Sequence, residues 1–342
     1  MKVLITGGAG FIGSHTADCA LRAGLEVVVV DNFSAGQEED IPKGCKVYKA
    51  DVSGKELRDI FEGEKPDYCI HLAEKNELDE SIINRGLSPN LRGLIYLLDL
   101  CKEFQIQKLV YASSAEVYGL TESRPADENA SCVPVSCMGM SKLAPEEYIR
   151  LYGALYGLNY TILRYTNVYG YRQKRFGAGG VISAFLETYV NGERPIIYGK
   201  GLQSRDFVCV TDVAEANIQA LTRGNGEIYN IGTGVATPIA ELFDLMNEML
   251  GQKLKPAYAP ARAAEQTHVC VSYAKAAKDL GWTPSVSLRE GLTQIAGDFI
   301  YKRFMDKLNG VKEAAPEPAS VSLIVRRMGV KKAGRRLKTV NS

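Results

Sequence analysis

The segment Thr6-Gly7-Gly8-Ala9-Gly10-Phe11-Ile12-Gly13 constrains the fold of this 342-residue chain more than any other. It follows the apolar run Val3-Leu4-Ile5, which reads as a buried strand, and opens into Phe11–Ala23, which reads as a helix closed by Gly24. A strand, a glycine turn and a helix in that order make a dinucleotide phosphate site. Gly8 is expected to permit the tight turn, Gly10 to let the backbone approach a pyrophosphate, and Gly13 to let the helix pack close to the strand. Gly7, Phe11 and Ile12 complete the loop, and the amides at the helix start would face the phosphate charge. A strand–helix turn holding no ligand could use the same glycines. A second half of the unit favours the ligand: Glu26-Val27-Val28-Val29-Val30 reads as another buried strand, and Asp31 ends it. Asp31 lies 18 residues beyond Gly13, near where an acidic group meets the adenosine ribose. Its charge would repel a 2′-phosphate, and no arginine follows within Asn32–Gln37, so NAD is expected over NADP.

Alternation continues beyond this unit. Further strands are read at Cys45–Lys49, Tyr68–Leu72, Leu109–Ala112 and Tyr160–Leu163, and helices at Lys55–Glu62, Asn90–Phe104 and about Met138–Tyr156. Leu94, Leu97, Leu98 and Cys101 share one side of the second helix; Met140, Ala144, Tyr148, Leu151 and Leu155 form the apolar stripe expected on the third. The pattern implies an α/β fold, a Rossmann-type doubly wound parallel sheet with ligands at the carboxyl ends of its strands. After Tyr169 the rhythm changes, with a helix expected near Gly180–Asn191, a strand at Val208–Val210 and an amphipathic helix at Ile239–Leu250. The expected division is an NAD-binding domain of residues 1–168 plus interleaved 206–233, and a smaller C-terminal substrate lobe of 169–205 plus 234–308. Residues 309–342 read as a Pro-containing linker and a basic, disordered tail.

Hydrophobic residues make up 46% of the chain, enough for a large core. Net charge is +1, but unevenly spread: Arg326, Arg327, Lys331, Lys332, Arg335, Arg336 and Lys338 lie in 319–342 with no acid among them. The remaining 34 basic residues face 40 acidic ones, so the body is mildly acidic. The tail is read as a solvated extension, with contact to an anionic surface through it and apolar Val321–Val325 as the sharper alternative; nucleic acid is not expected as a partner. No apolar run is long enough to span a bilayer, and the first strand starts at once, which points to a cytoplasmic protein without a signal peptide. Eight scattered cysteines without CxxC spacing fit reduced thiols, and three distant histidines suggest no metal site.

Several motifs occur together and in order: the glycine loop, Asp31-Asn32, Asp51-Val52, His71-Leu72-Ala73, Ser113-Ser114-Ala115-Glu116-Val117-Tyr118-Gly119, Leu163-Arg164-Tyr165-Thr166-Asn167-Val168-Tyr169-Gly170 and Arg205-Asp206-Phe207-Val208. On these the chain, over roughly residues 1–300, resembles the extended short-chain dehydrogenases that act on nucleotide sugars, in particular the UDP-glucose 4-epimerase-like group. The resemblance implies that Asp51 and Val52 border the adenine, that Leu72 and Ala73 lie under the nicotinamide-side phosphate and ribose, and that Asn90 braces that loop. It implies that Ser114 bonds the sugar hydroxyl being oxidised and that Lys142 holds the nicotinamide ribose. Asn167 would contact the sugar or its diphosphate, Arg205 and Arg262 would clamp the diphosphate, and Glu265 would lie near the nucleoside. A guanidinium fork suits phosphate oxygens; an ordinary ion pair of Arg205 with Asp206 is the plainer alternative. Ala263 and Ala264 replace the Pro-Gly that usually follows the position of Arg262. A homodimer through the helices at 90–104 and 138–156 is also implied.

The largest departure is Met138. The family carries a Tyr-x-x-x-Lys pattern on the long helix, and here Ser136-Cys137-Met138-Gly139-Met140-Ser141-Lys142 puts Met138 where the tyrosine belongs, on one helix face with Lys142. A general base must reach the sugar hydroxyl and titrate near the working pH; a thioether is only a weak acceptor and does not titrate near neutral pH. The candidates to replace it are Lys142, Glu116 and Cys137, in that order. Some dehydratases related to this family pair methionine with lysine and use the lysine as base. Ala115 stands where 4,6-dehydratases carry a proton-donating aspartate, which disfavours that reaction. The expected function is an NAD-dependent nucleotide-sugar epimerase. The alternatives are a lyase (decarboxylase or dehydratase) using Glu116 and Lys142, and a non-catalytic binder of NAD and a nucleotide sugar in which Met138 fills an apolar gap.

Overall fold

The computed structural model describes residues 1–74, 89–120, 125–173, 180–191, 193–261 and 268–297. The first half runs β1 (Lys2–Thr6), α1 (Phe11–Arg22), β2 (Glu26–Asp31), β3 (Lys46–Lys49), α2 (Glu56–Glu64), β4 (Tyr68–His71), α3 (Pro89–Glu103), β5 (Lys108–Ser114), α4 (Cys137–Tyr156) and β6 (Tyr160–Tyr165). The second half adds β7 (Asn167–Tyr169), α5 (Val181–Asn191), β8 (Ile196–Tyr198), β9 (Ser204–Cys209), α6 (Val210–Ala220), β10 (Glu227–Ile231), β11 (Ala236–Pro238), α7 (Ile239–Leu250), β12 (Ala257–Ala259) and α8 (Ala274–Asp279). Seven strands form one sheet in the order β10-β6-β5-β4-β1-β2-β3, and all neighbours are parallel. The chain winds outward from β1 to β3, then returns to β4 on the other side of β1. That reversal opens a crevice at the carboxyl ends of β1 and β4.

The sequence accounts for the burial. A parallel sheet is covered on both faces, so its strands are continuous apolar runs. Alternate residues then serve opposite cores. Val3, Ile5, Val27 and Val29 pack with α1 and α6, whereas Leu4, Val28 and Val30 pack with α2 and α3. Leu94, Leu97, Leu98 and Cys101 are buried as their spacing implied. Trp282 closes the α6 side, its indole donating to the Asp212 carbonyl at 2.8 Å.

The second half holds a separate apolar cluster around Phe185, Leu186, Leu242, Phe243, Met246 and Leu292. Beside it lie a three-stranded sheet, β11-β9-β7, and the pair β12-β8. The short elements β7, β8, β11, β12 and α8 are not read from the sequence, and two further differences bear on the sheet. Val210 begins α6 instead of ending a strand, because a short apolar run carries no period of its own. The segment at β10, not read as a strand, forms the sheet edge beside β6.

Helix α4 carries the main correction. Met140, Leu151 and Leu155 are exposed. The buried face is Gly139, Lys142, Pro145, Glu146 and Ile149. Polar residues go inward because they have partners there: Arg164 of β6 holds Glu146 at 3.0 and 2.6 Å, and Ser113 of β5 donates to the same carboxylate. A buried pair stays ionised only with such compensation. Among the described residues no helix is long and apolar enough to cross a membrane and no cluster of metal-ligating side chains occurs. The linker and basic tail expected at 309–342 lie outside the described residues.

Candidate active site

The glycine loop does its work through three contacts. Gly7 makes the turn, at φ 73°, with its amide on the Val30 carbonyl at 2.8 Å. A Cβ on Gly7 would also lie 2.6 Å from the Ala73 nitrogen. The tight turn therefore belongs to Gly7, and Gly8 is small for another reason: a Cβ there would strike the Val29 side chain at 2.7 Å. A Cβ on Gly13 would lie 2.0 Å from the Gly7 carbonyl oxygen, so Gly13 seats the helix against the turn itself. Gly10 differs, its nearest neighbour being the Gly7 oxygen at 3.2 Å. It lines the crevice. As N-cap of α1 it supplies no side-chain hydrogen bond, and no acid occupies the first turn, which Phe11, Ile12 and Gly13 form. The positive end of the helix dipole is left for an anion.

Around this loop, the strand ends are tied together by short polar contacts. Asp31 accepts from the amides of Ala9 (2.9 Å) and Phe33 (2.8 Å), one on each carboxylate oxygen. Further lone pairs remain for a ribose hydroxyl. Asn32 donates to Asp51 at 2.9 Å, and Asp51 also receives the Ser53 amide and hydroxyl, which fixes the loop after β3. The Thr6 hydroxyl meets His71 Nδ1 at 2.7 Å. Burial, then the Lys142 charge, push His71 down to about 3, so its ring is neutral.

The result is a cleft of about 650 Å³, open mouth included. Gly7, Gly10, Asp31, Asn32, Asp51, Val52, Leu72, Ala73 and Asn90 all line it. They come from four strand ends and the start of α3. A larger surface hollow lies elsewhere, against Arg150, Gly153 and Asn225, at the opposite ends of the strands and away from these residues.

The catalytic candidates gather where β5 ends and α4 begins. Ser114 accepts the Glu116 amide at 3.1 Å, capping the short 3-10 turn Ala115–Tyr118. Glu116 in turn accepts from the Ser136 hydroxyl at 2.9 Å, and Ser136 caps α4 by accepting the Gly139 amide at 3.0 Å. Glu116 is therefore engaged in holding the two elements together. Cys137 is exposed. Met138 is half-buried, with its sulfur 3.9 Å from the Ser141 hydroxyl. Lys142 is buried, donates to the Ala112 carbonyl at 2.9 Å and lies 5.6 Å from the Tyr111 ring centre. Its ammonium also pairs with Glu74 at 2.7 Å. The sequence reading missed Glu74. The available signal was its place, directly after Ala73 at the carboxyl end of β4.

Of the residues expected to meet the sugar nucleotide, Asn167 starts β7 and Arg205 lies on β9, and these strands pair in parallel. Arg205 donates to the Ser204 carbonyl at 2.9 Å. The ion pair with Asp206 is not formed. Successive strand side chains point to opposite faces, and Asp206 is fully buried, taking Thr233 N, Thr233 Oγ1 and Gly234 N at 2.8, 2.6 and 3.1 Å. Arg262 and Glu265 lie outside the described residues.

A dinucleotide fits these residues: an uncapped helix start, a Gly10 with no side chain toward the cleft, and an acid at the end of β2. Residues 3–232 match the model of the NAD dependent epimerase/dehydratase family. The chain belongs to this family. A protein of Methanocaldococcus jannaschii, provisionally named a UDP-glucose 4-epimerase, is 40% identical over 296 residues, covering 86% of this chain and 96% of its own. The crystal structure of UDP-glucose 4-epimerase with UDP-glucose from Thermotoga maritima superposes with a TM-score of 0.85 at 36% identity, covering 89% of this chain and all of that one. The Thermus thermophilus UDP-glucose 4-epimerase complex with NAD gives 0.81 at 36% identity, covering 87% and 99%. Epimerases of this family are NAD-dependent, and the chain is an enzyme of that kind.

Proposed function

We propose that the chain is a UDP-sugar 4-epimerase in which C4 is oxidised transiently and the hydride is returned to the other face of the sugar. The observation that carries this is the shared cleft: nine residues from four strand ends and the start of α3 converge at the topological switch point, with Lys142 at its edge through Glu74. Relatives named for the same activity support the choice of sugar nucleotide. NAD, when bound, supplies a reversible hydride acceptor. The chain's own residues do the rest. The α1 start and Gly10 hold phosphate, Asp31 holds ribose, and Asp51 and Val52 flank the base. Ser114 orients the sugar hydroxyl, Asn167 and Arg205 hold the sugar diphosphate, and Lys142 handles the hydroxyl proton that Met138 cannot. The cluster around Phe243 also takes in Phe207 and Cys209 of β9, and the reading assigns the sugar nucleotide to the side of the molecule that this cluster supports.

Incubating the protein with NAD and UDP-glucose, UDP-galactose, UDP-N-acetylglucosamine or UDP-glucuronate, and following the products by NMR, tests the reading. The 4-epimer of at least one is expected. Loss of water or carbon dioxide would instead show a lyase. Binding of NAD and sugar nucleotide with no product would show a binder.

The exposed side chains Met140, Leu151 and Leu155 give α4 an apolar outer face. Such a patch marks a contact surface, and the reading assigns it to a second copy of the chain. L151E/L155E is expected to convert a dimer to a monomer in sedimentation velocity. A monomeric wild type would remove the assignment.

A further inference from the structure

Met138 leaves the site without its usual acid–base group, and an ammonium alone cannot fill the gap. While Lys142 is charged it has no lone pair, so it accepts a proton only after giving one up. Something beside it must take that proton. Among the described residues, the titratable groups beside Lys142 are His71 from β4, Tyr111 from β5 and Glu74 from the loop after β4, with Glu146 of α4 acting on Tyr111. Three of them are unsuited. His71 has Nδ1 bonded to Thr6 and is held neutral by burial. Tyr111 is a buried phenol pushed well up, and a phenol already carries its proton. Glu146 is bound by Arg164 and Ser113. Glu74 is different. Its carboxylate is 2.7 Å from the Lys142 nitrogen, within the range of direct proton transfer, and it lines the cleft. Lys142 spends one N–H on Ala112 and one on Glu74, which leaves its third for a substrate hydroxyl.

Resting on the epimerase reading above, we propose that Glu74 is the proton acceptor behind Lys142, so that the Lys142–Glu74 pair does the work of the absent tyrosine. An N–H bond of Lys142 breaks and an O–H bond forms on Glu74. The freed amine takes the proton of the sugar 4-hydroxyl, so that O–H bond breaks and an N–H bond forms. The C4–H electron pair leaves with its hydrogen as hydride to the nicotinamide oxidant. Lys142 ends as it began, Glu74 ends protonated and the sugar ends as a 4-ketone. The return half-reaction runs the same transfers backwards. Glu74 acts through Lys142 and is a positioning and proton-accepting residue.

The test compares Glu74→Gln and Glu74→Asp with wild type, using the full chain with NAD and the sugar nucleotide that wild type epimerises. The glutamine keeps a hydrogen-bond acceptor for Lys142 and loses the titration. Expected for Glu74→Gln is a fall in kcat of about 100-fold or more, with NAD affinity by calorimetry within about threefold of wild type. The acid limb of the wild-type kcat profile should vanish in Glu74→Gln, and Glu74→Asp should recover part of the rate and the limb. A kcat for Glu74→Gln within about tenfold of wild type overturns the proposal. So does a loss confined to NAD affinity, or an acid limb that persists in Glu74→Gln. A misfolded Glu74→Gln would be recognised by circular dichroism, and Glu74→Asp, compared with Glu74→Ala, then decides: a folded Glu74→Asp with no more activity than Glu74→Ala overturns the proposal. A wild type that binds NAD but epimerises no UDP-sugar overturns the reading beneath it, which is a distinct result.

Discussion

The cofactor cradle and the catalytic corner lie side by side but are built from different material. The cradle is backbone. Gly7, Gly10 and Gly13 matter because a side chain cannot fit or would block the cleft, and Asp31 locks the loop by accepting amides. The corner is side chain. Ser114, Ser136, Glu116, Lys142 and Glu74 act through groups that another residue type can replace. A backbone device tolerates few sequences, whereas a proton-transfer device needs only a titratable group at the right distance. On the proposed reading, this is how an intact glycine loop and Met138 can stand in one chain.

The contrast can be broken most severely at Gly13. A Cβ there would lie 2.0 Å from the Gly7 carbonyl, so Gly13→Ala should abolish NAD binding, with a fall in melting temperature. Retention of NAD affinity within about tenfold would show that the cradle yields. The next effect belongs to the corner. Lys142→Ala should lower kcat by at least about 100-fold while the protein stays folded; circular dichroism and NMR turnover assays report the two parts separately.

A third prediction concerns acid. His71 is pushed down to about 3 in the folded protein, from its ordinary value of 6.5. Below about 6.5 the unfolded chain takes a proton that the folded chain refuses, so stability is full above that pH and is lost as pH falls toward 3. The slope is about 1.4 kcal/mol per pH unit. Urea melts at pH 7 and pH 5 should show this loss in wild type and a smaller one in His71→Asn. Equal losses would place the acid sensitivity elsewhere. The smallest effect is at Ser136, the cap of α4. Ser136→Ala should cost about 1 kcal/mol in urea melts, and the loosened Glu116 should change kcat less than Lys142→Ala does.

How far the sequence could be read follows the same division. The cradle is contiguous, and its strand–turn–helix signal requires no knowledge of distant contacts. The parallel sheet was legible because strands buried on both faces are continuous apolar runs such as Val27–Val30. Helix α4 misled because apolar periodicity normally marks the core, whereas here Lys142 and Glu146 point inward to partners on β4's following loop and on β6. Nothing near Glu146 in sequence announces Arg164. Glu74 was missed for the same reason: a carboxylate after an apolar strand looks like a loop residue until Lys142, far along the chain, is folded against it. Asp206 was weighed as a partner for Arg205, its neighbour, but strand alternation sends it the other way, to Thr233 and Gly234.

The most direct test is epimerisation of UDP-glucose deuterated at C4, run with NAD in ordinary water and read by NMR and mass spectrometry. Removal and return of hydride at that carbon predicts the 4-epimer with its deuterium retained. An epimer that has lost the label to solvent, or no epimer from any UDP-hexose tested in the same way, would contradict it.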